Sequence, residues 1–224
     1  MTYKTLYNYP VERQVKFYPW CYWDGAFTDE ELKKMCAYFD TQGVERGTTI
    51  GKIEKDKDGN ETVTQLPNED IRVSNVKFYN FDPLNENTNW IFQRINYVIE
   101  SINNQYYNFN LNGYESFQYT EYESYENGKY DFHMDTIMGA NIPRDMIEMR
   151  KLSVTMCVNE PGEEYEGGEF QINSSSENKL ETIPTKKGRM ILFPSFMLHR
   201  VAPVTKGKRK SVVVWVTEIG RAHV

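Results

Sequence analysis

Residues 188–201 read GRMILFPSFMLHRV, an apolar run that ends at Pro194 and is followed five residues later by His199. A short apolar run closed by a break indicates a buried β-strand. Histidine is rare in this chain, which contains three of them in 224 residues. His199 at the end of a buried strand is therefore a candidate metal ligand.

A second stretch, His133-Met134-Asp135, supplies two more candidate ligands. Alternate side chains of an extended strand point to the same face, so His133 and Asp135 can reach one point in space. If this strand faces the one before His199, two imidazoles and one carboxylate converge and leave other coordination positions open. That arrangement suits non-haem Fe(II) oxygenases. We therefore predict a metal site formed by His133, Asp135 and His199.

Arg209 lies ten residues after His199, in a basic segment that precedes the β-prone residues 212–216. Arg209 and Ser211 project from the same face of that strand. A guanidinium binds both oxygens of a carboxylate at once, so this pair can hold a dicarboxylate co-substrate. Lys206, Lys208 and Lys210 are interpreted as a solvated basic turn. Trp215 shares the Arg209 face and is either a core residue or a pocket residue.

Several motifs in the same order resemble the C-terminal half of prolyl-4-hydroxylase-like Fe(II)/2-oxoglutarate dioxygenases, and in particular the bacterial and phage PKHD-type hydroxylases. They cover roughly residues 114–218, with a weaker similarity at residues 71–74. The matching segments are residues 125–135 (YENGKYDFHMD), 152–158 (LSVTMCV), 165–170 (YEGGEF), 188–195 and 198–205, together with Arg209 and Trp215.

The resemblance implies that Fe(II) is held by His133, Asp135 and His199, with 2-oxoglutarate as co-substrate, O2 as oxidant and ascorbate as a possible reductant. Such enzymes couple decarboxylation of 2-oxoglutarate to succinate with C–H hydroxylation of a peptidyl or free amino acid, such as proline. It also implies that Ser153, Thr155 and Cys157 point inward, with Thr155 in the co-substrate site. The spacing before His133 departs from the family by one residue, so either Tyr122 or Tyr125 fills the tyrosine position that contacts 2-oxoglutarate.

The pattern of elements predicts an α+β protein. Thr28-Asp29-Glu30-Glu31 is a capping box that opens a helix, which Gly43 ends. A second amphipathic helix follows Thr88 or Asn89, and short strands follow Gly113. Residues 45–69 are polar and turn-rich, which indicates a long loop or a hairpin tip near the substrate. We expect one domain over residues 1–224, helical over about 1–112, with a double-stranded β-helix (jelly-roll) core over about 113–218 and the helices packed on its sheet.

The composition limits partners and location. A formal net charge of −6 gives no general attraction to nucleic acid or to an anionic membrane. The N-terminus lacks the apolar core of a signal peptide, and no run is long enough to span a membrane. The three cysteines lack the spacing of a zinc or redox motif, which favours reduced thiols. The sequence predicts a soluble cytoplasmic protein, in the host cytoplasm if phage-encoded, with a small-molecule co-substrate and a peptide or amino-acid substrate.

The last six residues, IGRAHV, are atypical of a domain end. One choice of codons for them reproduces a common sequencing-library adapter, so we hypothesise that residues 219–224 are an assembly artefact. His223 is therefore left out of the site. The nucleotide sequence of the gene tests this hypothesis.

Three alternative functions use the same residues. One is a nucleobase hydroxylase or demethylase with the same chemistry, which the acidic balance and the lack of a basic, aromatic stripe do not support. The second is a binding protein that keeps the fold without turnover, against which the intact ligand set argues. The third is a zinc hydrolase, because Zn(II) accepts two histidines and a carboxylate. In that case Arg209 and Ser211 have no clear task.

Overall fold

The computed structural model describes residues 17–55, 61–136, 150–174 and 180–218, with backbone only over residues 50–66. Two antiparallel sheets and one hairpin contain all the strands named in these ranges. The elements are, in chain order, β1 (Cys21–Trp23), α1 (Asp29–Asp40), β2 (Glu45–Arg46), β3 (Thr49–Lys55), β4 (Glu61–Leu66), β5 (Arg72–Val73), β6 (Asn75–Asn80), α2 (Asn89–Ile102), β7 (Leu111–Gly113), β8 (Ser116–Glu123), β9 (Lys129–His133), β10 (Arg150–Cys157), β11 (Tyr165–Gly167), β12 (Phe170–Asn173), β13 (Leu180–Thr182), β14 (Met190–Pro194), β15 (His199–Val201) and β16 (Val204–Glu218). A π-helical turn, Asn103–Tyr107, and a 3-10 helix, Ser124–Glu126, complete the described elements.

The larger sheet has nine strands and the smaller sheet has five. The main path of the larger sheet runs β1-β14-β10-β16-β8-β6-β2, and β7 and β11 also pair with β16. The smaller sheet runs β13-β12-β15-β9-β5. The fold is thus mostly antiparallel sheet with few helices, which is consistent with a jelly-roll core.

The stretch GRMILFPSFMLHRV passes from one sheet to the other. Its apolar part forms β14 in the larger sheet, where all five residues are buried. His199 begins β15 in the smaller sheet, and its Cα pairs with that of His133 in β9. The predicted buried strand is therefore confirmed. Strand β9, which carries His133, and strand β14, which precedes His199, lie in different sheets, while His199 itself lies on β15, the neighbour of β9.

Helix α1 begins with the predicted capping box. The backbone N–H of Glu31 donates to the Thr28 hydroxyl at 3.2 Å, and the N–H of Thr28 donates to the Glu31 carboxylate at 2.9 Å. The helix ends at Asp40, three residues before Gly43, because the Thr41 N–H turns back to the carbonyls of Tyr38 and Phe39. Gly43 is not needed as a helix stop.

Both helices contribute buried apolar side chains to the same cluster as the larger sheet. The Phe39 ring of α1 lies 4.6 Å from the ring of Tyr119 and 5.9 Å from that of Phe117, both on β8. The predicted apolar face of α2 is fully buried and consists of Ile91, Ile95, Val98, Ile99 and Ile102. This apolar cluster stabilises the larger sheet, and it does not include the polar side chains described below.

The N-terminal part is not simply helical, as the sequence suggested. Six strands, β1 to β6, begin before α2, and β6 pairs with β8 in the larger sheet. Their short length and polar composition conceal them from periodicity arguments. The turn-rich segment 45–69 does contain a hairpin, in which β3 pairs with β4. The suspected artefact at residues 219–224 lies outside the described residues.

Neither described helix combines the length and the apolar character needed to cross a bilayer. Cys21, Cys36 and Cys157 carry free thiols.

Candidate metal centre

The three predicted metal ligands lie together in a cavity between the sheets. One ligand atom from each of His133, Asp135 and His199 lies within 4.8 Å of the other two. The Nε2 atom of His133 is 3.6 Å from Asp135 Oδ1, and that of His199 is 3.5 Å from Asp135 Oδ2. Asp135 and His199 are buried, and His133 is partly buried. This is the only such cluster among the residues that the structure describes.

Backbone carbonyls fix the orientation of both imidazoles. The Nδ1 atom of His133 lies 2.7 Å from the Asp131 carbonyl oxygen, and that of His199 lies 2.8 Å from the Met197 carbonyl oxygen. A carbonyl oxygen only accepts, so each Nδ1 carries the proton and each Nε2 keeps a free lone pair. Both lone pairs belong to the ring edges nearest the Asp135 carboxylate. This is the usual way in which proteins prepare histidines for a metal.

The charge states also suit a cation. Burial, together with the neighbouring His199, lowers the pKa of His133 to about 3, so this imidazole is neutral at physiological pH. Burial by itself raises the pKa of Asp135, but the two imidazoles and the Ser153 hydroxyl outweigh it and keep that pKa below its ordinary value. Two imidazole nitrogens and one carboxylate form a donor set that fits Fe(II).

Asp135 does not lie on the strand that carries His133. Strand β9 ends at His133, and the Asp135 N–H donates to the Ser195 carbonyl at 2.9 Å. The sequence predicted a ligand pair on one strand face. The structure instead brings the carboxylate into place by anchoring the residues after the strand to the end of β14.

A chain of two buried serines holds the Asp135 carboxylate. The Ser153 hydroxyl donates to Asp135 Oδ2 at 2.7 Å and lies 2.9 Å from the Ser195 hydroxyl oxygen. Because Ser153 uses its proton on the carboxylate, its oxygen accepts from Ser195. Both serines have 0% relative exposure. The family resemblance implied that Ser153 points inward, but no sequence signal singled out Ser195.

We expect Ser153→Ala to weaken metal binding by roughly 10- to 100-fold, the usual effect of removing a group that orients a ligand. Ser195→Ala should have a smaller effect, because Ser153 still donates to the carboxylate. Adding Ser195→Ala to Ser153→Ala should then change nothing further. Titration with Co(II), followed by its visible absorption, measures all three variants. An unchanged affinity in Ser153→Ala would show that the serine only fills space.

At the other end of the cavity lies Arg209, whose side chain is 1% exposed. Its Nη1 donates to the Ser211 hydroxyl at 3.0 Å, while Nε and Nη2 have no hydrogen-bond partner within the described part of the chain. No carboxylate of the described residues forms an ion pair with it. A buried cation with two unused donors is costly unless an anion is to bind there. The orphaned donors therefore fit an anionic group.

Gly168 makes room for this arginine. Its φ of +66° favours glycine, and a Cβ atom there would lie 2.9 Å from Arg209 Cδ. Gly167, with a φ of +73°, ends β11, so the two glycines form the link between β11 and β12.

The lysines around Arg209 do not form a solvated turn. Residues 204–218 form the continuous strand β16, in which Lys208 pairs with Glu121 and Glu123 and Lys210 pairs with Asp40. Only Lys206 is largely exposed, at 74% of its side chain. Alternation along the strand sends these lysines away from Arg209.

The structure separates the two candidate tyrosines. Tyr122 is 3% exposed, lines the cavity, and has its ring 5.4 Å from the Arg209 guanidinium carbon. Tyr125 lies in the 3-10 helix, is 77% exposed and is not among the residues that line this cavity. Thr155, Ser211 and Trp215 also line the cavity.

Sequence reasoning missed one support of His133. The Tyr130 ring stacks on the His133 ring at 3.5 Å between centroids, and the Arg72 guanidinium lies 4.7 Å from the Tyr130 ring. Tyr130 and His133 are both on β9 and differ in parity, so simple alternation places them on opposite faces. The register shift between β9 and β15 brings them together.

A mostly antiparallel fold in which two imidazoles converge with one carboxylate is typical of the non-haem oxygenases. Residues 117–217 match the family model of the 2OG-Fe(II) oxygenase superfamily. The matched segment begins on β8 and ends on β16, so it contains every residue that lines the cavity.

Relatives agree with this assignment. The chain is 36% identical over 93 residues to a PKHD-type hydroxylase of Psychrobacter sp., covering 42% of this chain and 35% of the relative. It is 37% identical over 95 residues to a PKHD-type hydroxylase of Parvibaculum lavamentivorans, covering 42% of this chain and 40% of the relative. The alignments thus span less than half of these relatives. The resemblance to PKHD-type hydroxylases is confirmed.

Solved structures share the fold. A Pseudomonas putida prolyl-4-hydroxylase aligns with a TM-score of 0.63 at 16% identity and covers 90% of this chain and 94% of its own. A Trichoplax adhaerens prolyl hydroxylase, in complex with a hypoxia inducible factor peptide fragment, aligns with a TM-score of 0.64 at 18% identity. It covers 89% of this chain and 84% of its own. At these identities the similarity concerns the fold alone.

Proposed function

We propose that this protein is an Fe(II)- and 2-oxoglutarate-dependent hydroxylase that couples decarboxylation of 2-oxoglutarate to succinate with hydroxylation of a C–H bond. One observation carries the proposal. A single cavity has a His–Asp–His cluster at one end and a buried arginine with unused donors at the other. A zinc hydrolase needs the first feature but not the second. A dicarboxylate co-substrate needs both, one for each of its ends.

Each residue then has a role. His133 and His199 bind the iron through Nε2, and Asp135 binds it through its carboxylate. Arg209 and Ser211 hold the distal carboxylate of 2-oxoglutarate, where a guanidinium fork matches its two oxygens. Tyr122 and Thr155 form walls beside the co-substrate.

Iron and O2, when bound, supply the oxidising power, and the protein supplies orientation and the exclusion of water. The side chains around the His–Asp–His cluster are mostly apolar, including Phe170, Phe193 and Val213. The cavity leaves only about 30 Å³ of free space.

We propose a peptidyl substrate, with proline as the first residue to test. A chamber of about 160 Å³ adjoins the cavity and shares Gln118, Tyr130, Asp135 and Trp215 with it. It is smaller than the roughly 300–1,000 Å³ of pockets that enclose a whole ligand. A chamber of this size suits one residue of a longer chain. The peptide in the Trichoplax structure supports the same class of substrate for that relative.

We further propose that α1 and α2 form a layer behind the larger sheet of a jelly-roll domain, on the basis of their shared apolar cluster. Ascorbate as reductant and a reducing, cytoplasmic location belong to the same proposal. The free thiols of Cys21, Cys36 and Cys157 support that location.

The test is anaerobic reconstitution with Fe(II), followed by a succinate-release assay in air with and without proline-containing peptides. We expect 2-oxoglutarate to bind the iron form and to be converted to succinate faster when a substrate is present. If 2-oxoglutarate neither binds nor is decarboxylated, the proposed function is wrong.

A further inference from the structure

The site-facing side of β16 continues beyond the metal centre. Arg209, Ser211, Val213 and Trp215 line the inner cavity in alternation, and Thr217 continues the same face. At about 3.4 Å per residue, Thr217 lies roughly 13 Å along the strand from Val213. The larger sheet thus extends past the site and offers an additional surface.

Two surface cavities lie on this extension and form what we call the outer groove. The first has about 580 Å³ of space and the second about 400 Å³. The first shares Phe78, Arg150 and Trp215 with the 160 Å³ chamber, and the two surface cavities share Gly113 and Tyr114. The chamber and the outer groove are therefore adjacent, with Phe78, Arg150 and Trp215 at their boundary. A molecule that fills both the chamber and the groove must be an extended chain.

Exposed aromatic rings line the outer groove. Phe78 is 51% exposed and Phe81 is 53% exposed, and the Phe78 ring lies 6.5 Å from that of Trp215. Large apolar side chains left in water beside a functional site indicate a binding surface. Tyr114 and Phe92 stack at 5.7 Å and complete the apolar wall.

The polar part of the outer groove is suited to a polypeptide. Its polar side chains are mainly amides and hydroxyls, with one acid and one cation among the described lining residues: Asn89, Gln93, Asn96, Asn112, Glu115, Ser116, Arg150 and Thr217. Amide side chains pair with peptide N–H and C=O groups. A phosphate backbone would require several cations. Mixed charge, amides and rings together match a peptide better than a nucleic acid.

We propose that the outer groove binds the part of a polypeptide substrate that flanks the residue presented to the iron. Phe78, which lines both the chamber and the outer groove, contacts an apolar side chain of that segment. This inference rests on the proposed function. It adds that the enzyme selects its substrate by residues that lie at a distance from the reacting carbon. It also excludes a free amino acid as the preferred substrate.

The test uses the protein loaded with Zn(II) in place of iron, with 2-oxoglutarate present, so that peptides bind without turnover. The probe is a pool of blocked peptides of about 13 residues, with proline fixed at the centre and random flanks, which reach about 20 Å on either side. Captured peptides are sequenced. We expect apolar residues to be enriched at one position within about four residues of the proline, on one side only.

Phe78→Ser should remove this enrichment and weaken the binding of an enriched peptide roughly tenfold, as expected for the loss of one large apolar contact. The matched control is Tyr97→Ser, an aromatic residue of α2 that is 61% exposed and lies outside the groove. The control should leave the enrichment unchanged. Blocked N-acetylproline amide should bind much more weakly than the enriched peptide.

The groove proposal would be overturned if the captured peptides showed no enrichment in their flanks. It would also be overturned if Phe78→Ser kept the same preference, or if N-acetylproline amide bound as tightly as the enriched peptide. The failure to capture any peptide would do the same. Zn(II) and 2-oxoglutarate binding are measured by calorimetry on the same preparations. If both bind normally while the peptide result is negative, the groove proposal fails and the proposed function stands.

Discussion

Replacement of His199 by alanine is expected to abolish Fe(II) binding. The residue supplies one of three protein ligands, and its Nε2 is held in place by the bond from Nδ1 to the Met197 carbonyl. Loss of a group that only orients a ligand costs roughly 10- to 100-fold in affinity, so loss of a ligand should exceed 100-fold. Anaerobic Fe(II) titration by calorimetry measures the effect.

The control for this prediction is Arg200→Ala. Arg200 is the next residue of β15 and points away from the cavity, where it bonds the Gln171 side chain at 2.7 Å. Its removal should leave the iron affinity unchanged. Both variants should keep the fold, because His199 lies in a cavity and not in the main apolar cluster. If His199→Ala retained iron within threefold of the wild type, the assigned ligand set would be wrong.

Replacement of Arg209 by alanine should spare the iron and weaken 2-oxoglutarate binding. A buried, charge-assisted pair is worth about 2–5 kcal/mol when one partner is removed, so we expect a loss of at least roughly 30-fold. The 2-oxoglutarate affinity of Arg209→Lys should lie between those of the wild type and Arg209→Ala, because lysine keeps the charge but not the fork of donors. Calorimetry with 2-oxoglutarate, on protein saturated with Mn(II) under anaerobic conditions, gives the affinities.

Stability separates a binding role of Arg209 from a structural one. In the absence of 2-oxoglutarate this buried cation has no carboxylate partner among the described residues, so Arg209→Met should leave the thermal midpoint of the metal-free protein unchanged or raise it. A structural arginine would give the opposite result. Lys210→Ala is the matched control, since Lys210 lies on the outer face and pairs with Asp40. Equal iron loss in Arg209→Ala and His199→Ala would contradict the separate roles of the two residues.

Much of the site was predictable, because alternation is a local property of a strand. The face shared by Arg209, Ser211 and Trp215 follows from alternation along the strand, and all three residues line the cavity. Alternation also places Ser153 and Thr155 on one face, but only the family resemblance indicated that this face points inward, where the structure has both residues. The capping box of α1 and the apolar face of α2 are equally local, and both are confirmed.

Strand alternation did not predict side-chain positions correctly where the chain leaves regular strand geometry. Asp135 lies past the end of β9, and Tyr130 reaches the His133 ring through a register shift. Tyr122 lines the cavity and Tyr125 does not, because a 3-10 helix turns Tyr125 into solvent. No spacing rule in the sequence distinguishes these arrangements, since each results from contacts between distant segments.

The sequence by itself determined the identity of the ligands, the arginine and the strand faces, because side-chain chemistry and a period of two are local. The tertiary structure decided how they meet. It placed β14 and β15 in different sheets, anchored Asp135 to the Ser195 carbonyl, and left the exposed end of the larger sheet beside the chamber. These features depend on hydrogen bonds and packing between residues far apart in the chain. Such contacts follow from burial of the whole core and not from any single segment.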